Sequence, residues 1–405
     1  MPRTIAWVWN RFDRMGGGER LIQEGARYYR SIGDRVFVFT WHYNDEVLFN
    51  GEYEKRDIVD LGGKEIDRGN ILKRAWSRAM SLPRLRAELK RRGVKTVFVQ
   101  GEYDVALVYL ALLGSGIRYR FLIFGQMFQY PHDNGKYALI FRRHLATIVS
   151  SCRGYRETIP LTAPKLSLPN RIANELICVV RWFAVRGAEK RFTFSRQIDW
   201  ETGLLFGAKT IRARGAFRHE LLTANIDSSA TLSRFGLTHE RYLLSISRLD
   251  RKKRIDVIIR AFAKADLPVD MVMVVGGGGD DRPFLEQTAR EAGVIDRVKF
   301  IGRVDEQDLL PLKQACAVFL SMDIGDYDIS PLEALALGRP VICPTEFDVE
   351  ENDTLTACPS FHICEATTES LAEELASVLA TPQETCRDKL GDLSWESYYD
   401  TLMRQ

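Results

Sequence analysis

The most constraining feature of this chain is the stretch at residues 317–344, AVFLSMDIGDYDISPLEALALGRPVICP. The apolar run 317–322 predicts a buried parallel strand, and residues 340–344 predict the next strand, after a short helix that opens at Ser330. A strand, loop, helix and strand in this order are typical of a doubly wound α/β sheet, in which ligands bind beyond the carboxyl ends of the strands. Glu333 is therefore expected in the first turn of a helix that faces a ligand site.

Predicted strands alternate with helical patterns along the whole chain. They cover residues 4–9, 35–41, 95–100, 121–125 and 191–195 in the first half, and residues 242–247, 270–275, 298–301, 317–322 and 341–343 in the second half. This alternation predicts parallel sheets with helices on both faces. The chain is therefore predicted to be an α/β protein with two Rossmann-like domains, at residues 1–217 and 218–392.

Charge is distributed unevenly between the two halves. Residues 1–217 contain 37 Lys and Arg against 21 Asp and Glu, whereas residues 218–405 contain 20 against 33. Basic residues concentrate at 68–95, where Trp76 and Met80 lie among them. Such a segment can bind an anionic membrane surface or an acidic acceptor, although a solvated helix face has the same pattern. Nucleic acid is not an expected partner, because no binding motif accompanies the charge.

The remaining composition indicates a cytoplasmic protein. The sequence contains no run of about 18 apolar residues that could span a bilayer, and its first apolar run is too short for a signal peptide. The seven cysteines form no C-x-x-C pair, which favours reduced thiols over a disulfide framework or a zinc site. We expect the protein in the cytoplasm, with peripheral attachment to the cytoplasmic face of the membrane as one option.

Two cations follow a predicted strand of the second half. Arg248 and Lys253 come after the strand at 242–247 and before a helical pattern. Fixed cations in a poorly hydrated site stabilise charge that develops on a phosphate leaving group. The pair is a candidate phosphate site, and a solvated run of charges is the alternative interpretation.

Glycine-rich turns follow strands in both halves. Gly16, Gly17 and Gly18 connect the first strand to the first helix, and residues 276–279 make a similar turn in the second half. Glycine lets backbone amides approach a phosphate or a sugar. The first turn is therefore a candidate ligand contact, whereas the second is equally explained as an ordinary strand-to-helix turn.

Glu333 also has a structural interpretation. Ser330, Pro331 and Glu333 have the spacing of a capping box, in which Ser is the N-cap and Glu reaches back to its amide. Helix capping alone would account for these residue types.

Several of these motifs resemble one known family. The segment PLEALALGRPVI is similar to the C-terminal signature of the retaining, two-domain (GT-B) glycosyltransferases of family 4. Arg248 and Lys253 resemble the family's G-R-L-x-x-x-K pair. Residues 16–20 resemble its G-G-x-E-R loop, and residues 130–132 resemble its Y-x-H segment. The resemblance implies a GT-B fold, with two Rossmann-like domains that face across a cleft and a C-terminal helix at 393–405 that packs back on the first domain.

The resemblance also implies roles for the residues of the second domain. Glu333 would hold the ribose of a nucleotide sugar, and Arg248 and Lys253 would grip its diphosphate. The main chain at Arg303 and Val304 would hold the nucleobase. Enzymes of this family generally need no metal, so that neither a metal nor another cofactor is expected.

In the first domain the resemblance implies contacts with the transferred sugar. His132 would contact the donor sugar near the reaction centre, and Gly16, Gly17 and Gly18 would lie under the sugar and the acceptor. The departing phosphate itself would take the proton of the acceptor, so that the protein mainly positions groups and stabilises charge.

The loop before Glu333 departs from the family pattern E-x7-E. Gly325 stands where the first Glu belongs, and Asp326, one position later, is the candidate replacement carboxylate. Tyr327 and Asp328 stand where the family has Tyr-Gly. The candidate donor contacts of this loop are Asp326, Tyr327, Asp328 and Ile329.

The sequence therefore predicts a retaining glycosyltransferase that moves a sugar from a nucleotide-sugar donor to an acceptor, either a growing glycan or a lipid-linked molecule. Peripheral contact with an anionic membrane would run through residues 68–95. Two alternatives stay open. A nucleotide-sugar epimerase of the same fold would keep the nucleotide site, and a non-catalytic nucleotide-sugar-binding or scaffold protein would explain the missing first Glu.

Overall fold

The computed structural model describes residues 2–12, 16–44, 57–62, 71–128, 133–151, 161–325, 327–350, 353–382 and 384–404, and of residues 71–75 the backbone alone. The chain divides into two compact units. The first comprises Met1–Ala213 and Tyr399–Gln405, and the second comprises Arg214–Tyr398. The division falls after Ala213, whereas the sequence placed the domain boundary after Phe217.

The first unit is built on a parallel sheet of seven strands, and two further short strands pair beside it. The strands are β1 (Thr4–Val8), β2 (Arg11–Phe12), β3 (Arg35–Thr40), β4 (His42–Tyr43), β5 (Ile58–Asp60), β6 (Thr96–Gln100), β7 (Arg118–Ile123), β8 (Lys190–Thr193) and β9 (Ile211–Arg212). The order in the large sheet is β5-β3-β1-β6-β7-β8-β9, and β2 pairs with β4. The central strands are near-continuous apolar runs because helices cover both faces of such a sheet.

Helices connect these strands. They are α1 (Gly17–Ser31), α2 (Ile71–Arg91), α3 (Glu102–Leu112), α4 (Leu139–Ser151), α5 (Leu168–Gly187) and α6 (Arg196–Phe206). In α2, Leu85 and Leu89 are fully buried, whereas Trp76 and Met80 are among the most exposed apolar side chains. The predicted basic segment 68–95 therefore contributes part of its apolar residues to the core and presents others to solvent.

The second unit is a six-stranded parallel sheet with helices. Its strands are β10 (Tyr242–Ile246), β11 (Val272–Gly276), β12 (Val298–Gly302), β13 (Val318–Leu320), β14 (Val341–Pro344) and β15 (Phe361–Cys364), in the order β12-β11-β10-β13-β14-β15. Its helices are α7 (Ser229–Phe235), α8 (Ile255–Lys264), α9 (Arg282–Glu291), α10 (Glu306–Ala315), α11 (Ile329–Ala336) and α12 (Thr368–Ala380). Every strand predicted from the sequence is present, and both units have the predicted Rossmann-like architecture.

The C-terminal helix, α13 (Trp395–Arg404), carries the tail that was predicted at residues 393–405. From Tyr399 onward its residues belong to the first unit. The Tyr29 hydroxyl donates to the carbonyl of Tyr399 (2.8 Å), and the Tyr399 hydroxyl donates to the carbonyl of Leu21 (2.5 Å). The Tyr399 ring also packs edge-on against Trp7. The end of the chain is thus part of the core beneath α1.

One cysteine prediction is wrong. Cys358 and Cys386 form a disulfide, with Cα atoms 5.4 Å apart, whereas reduced thiols had been expected. The two residues are 28 positions apart and lie outside any C-x-x-C pattern, so that only the fold brings them together.

No helix in the described part of the chain is long and apolar enough to cross a membrane.

Candidate functional site

The strand order of the second unit reverses beside β10. β11 pairs with one edge of β10, and β13 pairs with the other. In open α/β sheets the ligand crevice lies at such a reversal, beyond the carboxyl ends of the two strands. Arg248 and Lys253 follow β10, and the segment from Asp323 to Glu333 follows β13. The sheet therefore brings the predicted phosphate pair and the predicted ribose helix to the same edge.

Lys253 and Asp323 are paired at this edge. The Lys253 ammonium donates to Oδ2 of Asp323, and only 20% and 12% of the two side chains are exposed. Burial lowers the pKa of Lys253, but the carboxylates of Asp323 and Asp328 raise it by more, so that the pKa lies above its usual value. Lys253 is therefore a charged ammonium at neutral pH.

Arg248 lies in a loop, and its side chain is much more exposed to solvent than that of Lys253. Its side chain is 66% exposed, and its guanidinium lies 3.4 Å from Oδ2 of Asp250. The backbone beside it is fixed, because the N–H of Leu249 donates to the carbonyl of Gly278 (3.0 Å). The loop thus holds a solvent-facing guanidinium on an ordered backbone.

Gly277 explains why this loop is rich in glycine. Its φ of +120° lies in a region that side chains disfavour, and a Cβ there would overlap the carbonyl oxygen of Ser247. The turn at residues 276–279 therefore packs against the Arg248 loop and supports it. The sequence alone did not distinguish this turn from an ordinary strand-to-helix turn.

Arg303 and Val304 follow β12 and lie next to the same glycine turn. The N–H of Gly277 donates to the carbonyl of Gly302 (2.6 Å), and a Cβ at Gly276 would lie 3.0 Å from a methyl carbon of Val304. The main chain that was predicted to hold a nucleobase is thus adjacent to the glycine turn that supports the Arg248 loop.

The start of α11 differs from the predicted capping box. The helix begins at Ile329, and its N-cap is Asp328, whose Oδ1 accepts the N–H of Ser330 (3.2 Å). Oδ2 of Asp328 accepts the hydroxyl of Ser321 (2.7 Å). Ser330 is therefore not the cap, because the helix already begins at Ile329 and Asp328 occupies the N-cap position. Tyr327 stacks obliquely near Phe347, with ring centroids 5.8 Å apart.

Glu333 has a buried partner instead of a capping role. Its Oε2 accepts the ammonium of Lys313 from α10, and each of the two side chains is 2% exposed. The Lys313 ammonium also lies 5.6 Å from the ring centroid of Phe319. Glu333 is thus one half of a buried ion pair that links two helices of the second unit.

The glycine turn of the first unit lies where its own strand order reverses, between β1 and β6. Gly16 is the N-cap of α1 in an extended conformation, and a Cβ at Gly18 would lie 3.0 Å from the Trp9 ring. The Trp9 indole N–H donates to Oε1 of Glu19 (2.9 Å). Gly17 has open space around its Cα. The turn therefore packs tightly at Gly18 and is accessible at Gly17.

Two acids lie at the start of α3, beside this turn, and Asp104 is buried whereas Glu102 is half-buried. Burial raises the pKa of Asp104 to about 7, opposed by the Arg78 cation and by the Asn10 N–H, which donates to Oδ2 (2.9 Å). Burial also raises the pKa of Glu102 to about 8, although Arg181 lies 2.7 Å from it. Neither acid was predicted as a site residue, although both come shortly after the predicted strand 95–100.

Two predicted contacts, His132 and Asp326, lie outside the described residues. Asp133, next to His132, accepts the N–H of Gly135 (2.8 Å). Asp323 and Lys313 were not predicted from the sequence either. Each pairs with a predicted site residue across the fold, and neither belongs to a motif.

The architecture defines the class to which the protein belongs. Two Rossmann-like units, each with a parallel doubly wound sheet, make a GT-B fold. The crystal structure of Anabaena HepE in complex with UDP superposes with a TM-score of 0.68, over 99% of this chain and 98% of that chain, at 13% identity.

Sequence comparison relates the second unit to one family. Residues 233–389 match the family Glycosyl transferases group 1. A segment of 104 residues, 25% of this chain and 27% of the relative, is 35% identical to an uncharacterized glycosyltransferase of Methanocaldococcus jannaschii.

A second relative is similar over a longer region. The GDP-mannose-dependent monoacylated alpha-(1-6)-phosphatidylinositol monomannoside mannosyltransferase of Corynebacterium glutamicum is 30% identical over 169 residues, which are 38% of this chain and 42% of the relative. Each of these two matches spans less than half of the relative's own length.

Proposed function

We propose that this protein is a retaining glycosyltransferase that moves a sugar from a nucleotide-sugar donor to an acceptor hydroxyl. The observation that carries the proposal is the position of Arg248 and Lys253 after β10, at the strand-order reversal of the unit that matches the group 1 family. Two cations at this edge suit a diphosphate, because Arg forms bidentate contacts and Lys supplies a point charge.

The proposed reaction breaks the bond between the anomeric carbon of the sugar and the β-phosphate oxygen of the donor. The acceptor oxygen forms a new bond to that carbon on the same face, and its proton passes to the departing phosphate. Arg248 and Lys253 stabilise the negative charge of the nucleoside diphosphate that leaves. The protein carries out this step without a metal, with these two cations in the place of one.

The remaining donor contacts are proposed from the same edge. Glu333 holds ribose, the main chain at Arg303 and Val304 holds the base, and the start of α11 contacts the sugar. The HepE structure contains UDP, and the name of the Corynebacterium relative specifies GDP-mannose. Both names include a nucleoside diphosphate, which supports a nucleoside diphosphate sugar as the donor class of this chain.

The acceptor is a glycan or a lipid-linked molecule. The Corynebacterium relative is named for a phosphatidylinositol mannoside, and residues 1–217 of this chain carry an excess of basic residues. We propose cytoplasmic localisation, with peripheral contact to an anionic membrane through residues 68–95. Exposed Trp76 and Met80 support this contact.

The test is donor hydrolysis by the purified protein over a panel of UDP-, GDP- and ADP-sugars. We expect slow release of nucleoside diphosphate from one donor, and a free sugar whose initial anomeric configuration, followed by NMR, is that of the donor. Arg248→Ala should abolish the release. Inversion would exclude the retaining reaction, epimerised nucleotide sugar would indicate the epimerase, and tight binding without turnover would indicate the scaffold.

A further inference from the structure

Helix α5 carries an exposed apolar stripe that the proposed function does not use. Five large apolar side chains lie on one side of it and are between 40% and 69% exposed, namely Leu168, Ile172, Leu176, Val179 and Phe183. Their spacing of three or four residues places them within a narrow strip of the helix surface. With a rise of about 1.5 Å per residue, the stripe is roughly 22 Å long. Isolated exposed apolar residues are common, but a continuous stripe marks an interaction surface.

The fully exposed charged residues around the stripe are basic. The exposed charged residues of α5 are Arg171 and Arg186, near its two ends. On α4, which packs against α5, Arg142 and Arg143 are exposed, and the described sequence of that helix contains no acid. Glu175 of α5 is half-buried, and its carboxylate accepts the N–H of Leu139 (2.9 Å) at the start of α4. The face therefore combines apolar side chains with exposed cations.

The two units differ in how many large apolar side chains they expose. In the described part of the second unit, the exposed large apolar side chains are Val269 and Ile363, which lie far apart in sequence. The first unit carries the α5 stripe and exposed Leu139 beside it. Its other exposed large apolar side chains are Ile32, Trp76, Met80, Tyr103, Leu110, Leu113, Leu161 and Trp200. Exposed apolar side chains are thus concentrated on the first unit, and on α5 five of them line up on one side of a single helix.

We propose that the stripe on α5 inserts into the interface of an anionic lipid bilayer and orients the first unit on the membrane. An amphipathic helix binds in this way when its apolar face enters the boundary of the acyl chains and its basic residues contact anionic headgroups. A second copy of the chain fits less well. In parallel pairing Arg171 would face Arg171, and in antiparallel pairing Arg171 would face Arg186, so that like charges meet in either arrangement.

This inference deepens the proposed function, since it rests on a lipid-linked acceptor being the reason for membrane attachment. It also differs from the contact through residues 68–95, which is mainly a matter of basic charge. Vesicle binding requires no nucleotide sugar. Loss of membrane binding and absence of donor turnover can therefore be observed independently of each other.

The experiment measures sedimentation of the full chain with vesicles of phosphatidylcholine alone or mixed with phosphatidylglycerol. The stripe variant is Ile172→Ser/Leu176→Ser/Phe183→Ser, with Leu176→Ser as a milder second variant. Val269→Ser is the matched control, because it removes an exposed apolar side chain from the second unit. We expect wild type and control to bind the anionic vesicles, and the triple variant to bind on the order of tenfold more weakly at an unchanged unfolding midpoint.

Several results would overturn the proposal. One is a wild type that fails to bind vesicles, and another is a wild type that binds neutral and anionic vesicles equally. Binding of the stripe variants at the wild-type level would also contradict it. Loss of binding in Trp76→Ser/Met80→Ser with full binding in the stripe variant would assign the contact to α2 instead. A wild-type dimer that becomes a monomer in the stripe variant, measured by sedimentation equilibrium, would make the stripe a self-association surface.

Discussion

The ammonium of Lys313 donates to Oε2 of Glu333 in the interior of the second unit, where each side chain is 2% exposed. The pair joins α10 to α11, the helix that follows β13 at the candidate site. Glu333 is thus both the proposed ribose contact and the counter-ion of a buried lysine. A substitution at Glu333 alone cannot separate these roles, because it leaves the Lys313 cation without its carboxylate.

Glu333→Gln should therefore be strongly destabilising. Removing one partner of a buried ion pair leaves an uncompensated charge and costs about 3–5 kcal/mol of unfolding free energy. Urea unfolding of wild type and variant measures the loss. A variant within about 1 kcal/mol of the wild type would show that Lys313 does not depend on Glu333.

Replacing both partners should separate stability from donor binding. Lys313→Met/Glu333→Met exchanges the pair for apolar groups, which is often neutral for stability. We expect near-native unfolding but donor affinity reduced by about tenfold, because the ribose loses a charged acceptor. Calorimetric titration with nucleoside diphosphate provides the readout. Native affinity in the stable double variant would leave Glu333 with the structural role alone.

Gly277→Ala should disrupt the Arg248 loop. A Cβ at this position would overlap the carbonyl oxygen of Ser247, and the φ of +120° is strained for alanine. Gly278→Ala is the matched control, since a Cβ there meets no atom within 4 Å. We expect the first variant to lose stability and nucleoside diphosphate affinity, and the second to keep both. Equal behaviour of the two variants would contradict the conclusion that Gly277 supports the Arg248 loop.

Asp104 predicts a pH dependence of stability. Burial raises its pKa to about 7, so that the folded state holds a proton which the unfolded state releases near pH 4. This contribution is fully present below about pH 4 and is lost as the pH rises through about 7, at roughly 1.4 kcal/mol per pH unit. Asp104→Asn has no such proton to lose. Its unfolding free energy, relative to that of the wild type, should therefore rise by roughly 2–3 kcal/mol between pH 5 and pH 8. Urea unfolding of both proteins at pH 5 and pH 8 measures this change, and an equal difference at the two pH values would refute the prediction.

The parallel strands were predictable because strands buried on both faces are short apolar runs between turn residues. The strands missed were β2, β4, β5, β9 and β15, which have two to four residues each and too little pattern to recognise. The fold class followed from the alternation of strands and helices, and the two structural units from the restart of the pattern near residue 240.

The candidate site was predictable only in part. Residues that follow a strand can be placed at the carboxyl edge of a sheet, which is why Arg248 and Lys253 could be proposed together. Their partners could not. Asp323 is 70 positions from Lys253, and Lys313 is 20 positions from Glu333 on a different helix. The capping box failed for a local reason, because Asp328 offers an acceptor before Ser330.

The central claim is that the edge beyond β10 holds the diphosphate of a nucleotide sugar. Arg248 and Arg241 make a matched pair, since they flank opposite ends of β10 and are 66% and 52% exposed. Calorimetry with UDP and GDP should show that Arg248→Ala weakens binding of the preferred nucleotide by about 1.5–3 kcal/mol, roughly 10- to 150-fold, while Arg241→Ala binds like the wild type. Unchanged affinity in Arg248→Ala, or equal losses in both variants, would contradict the account.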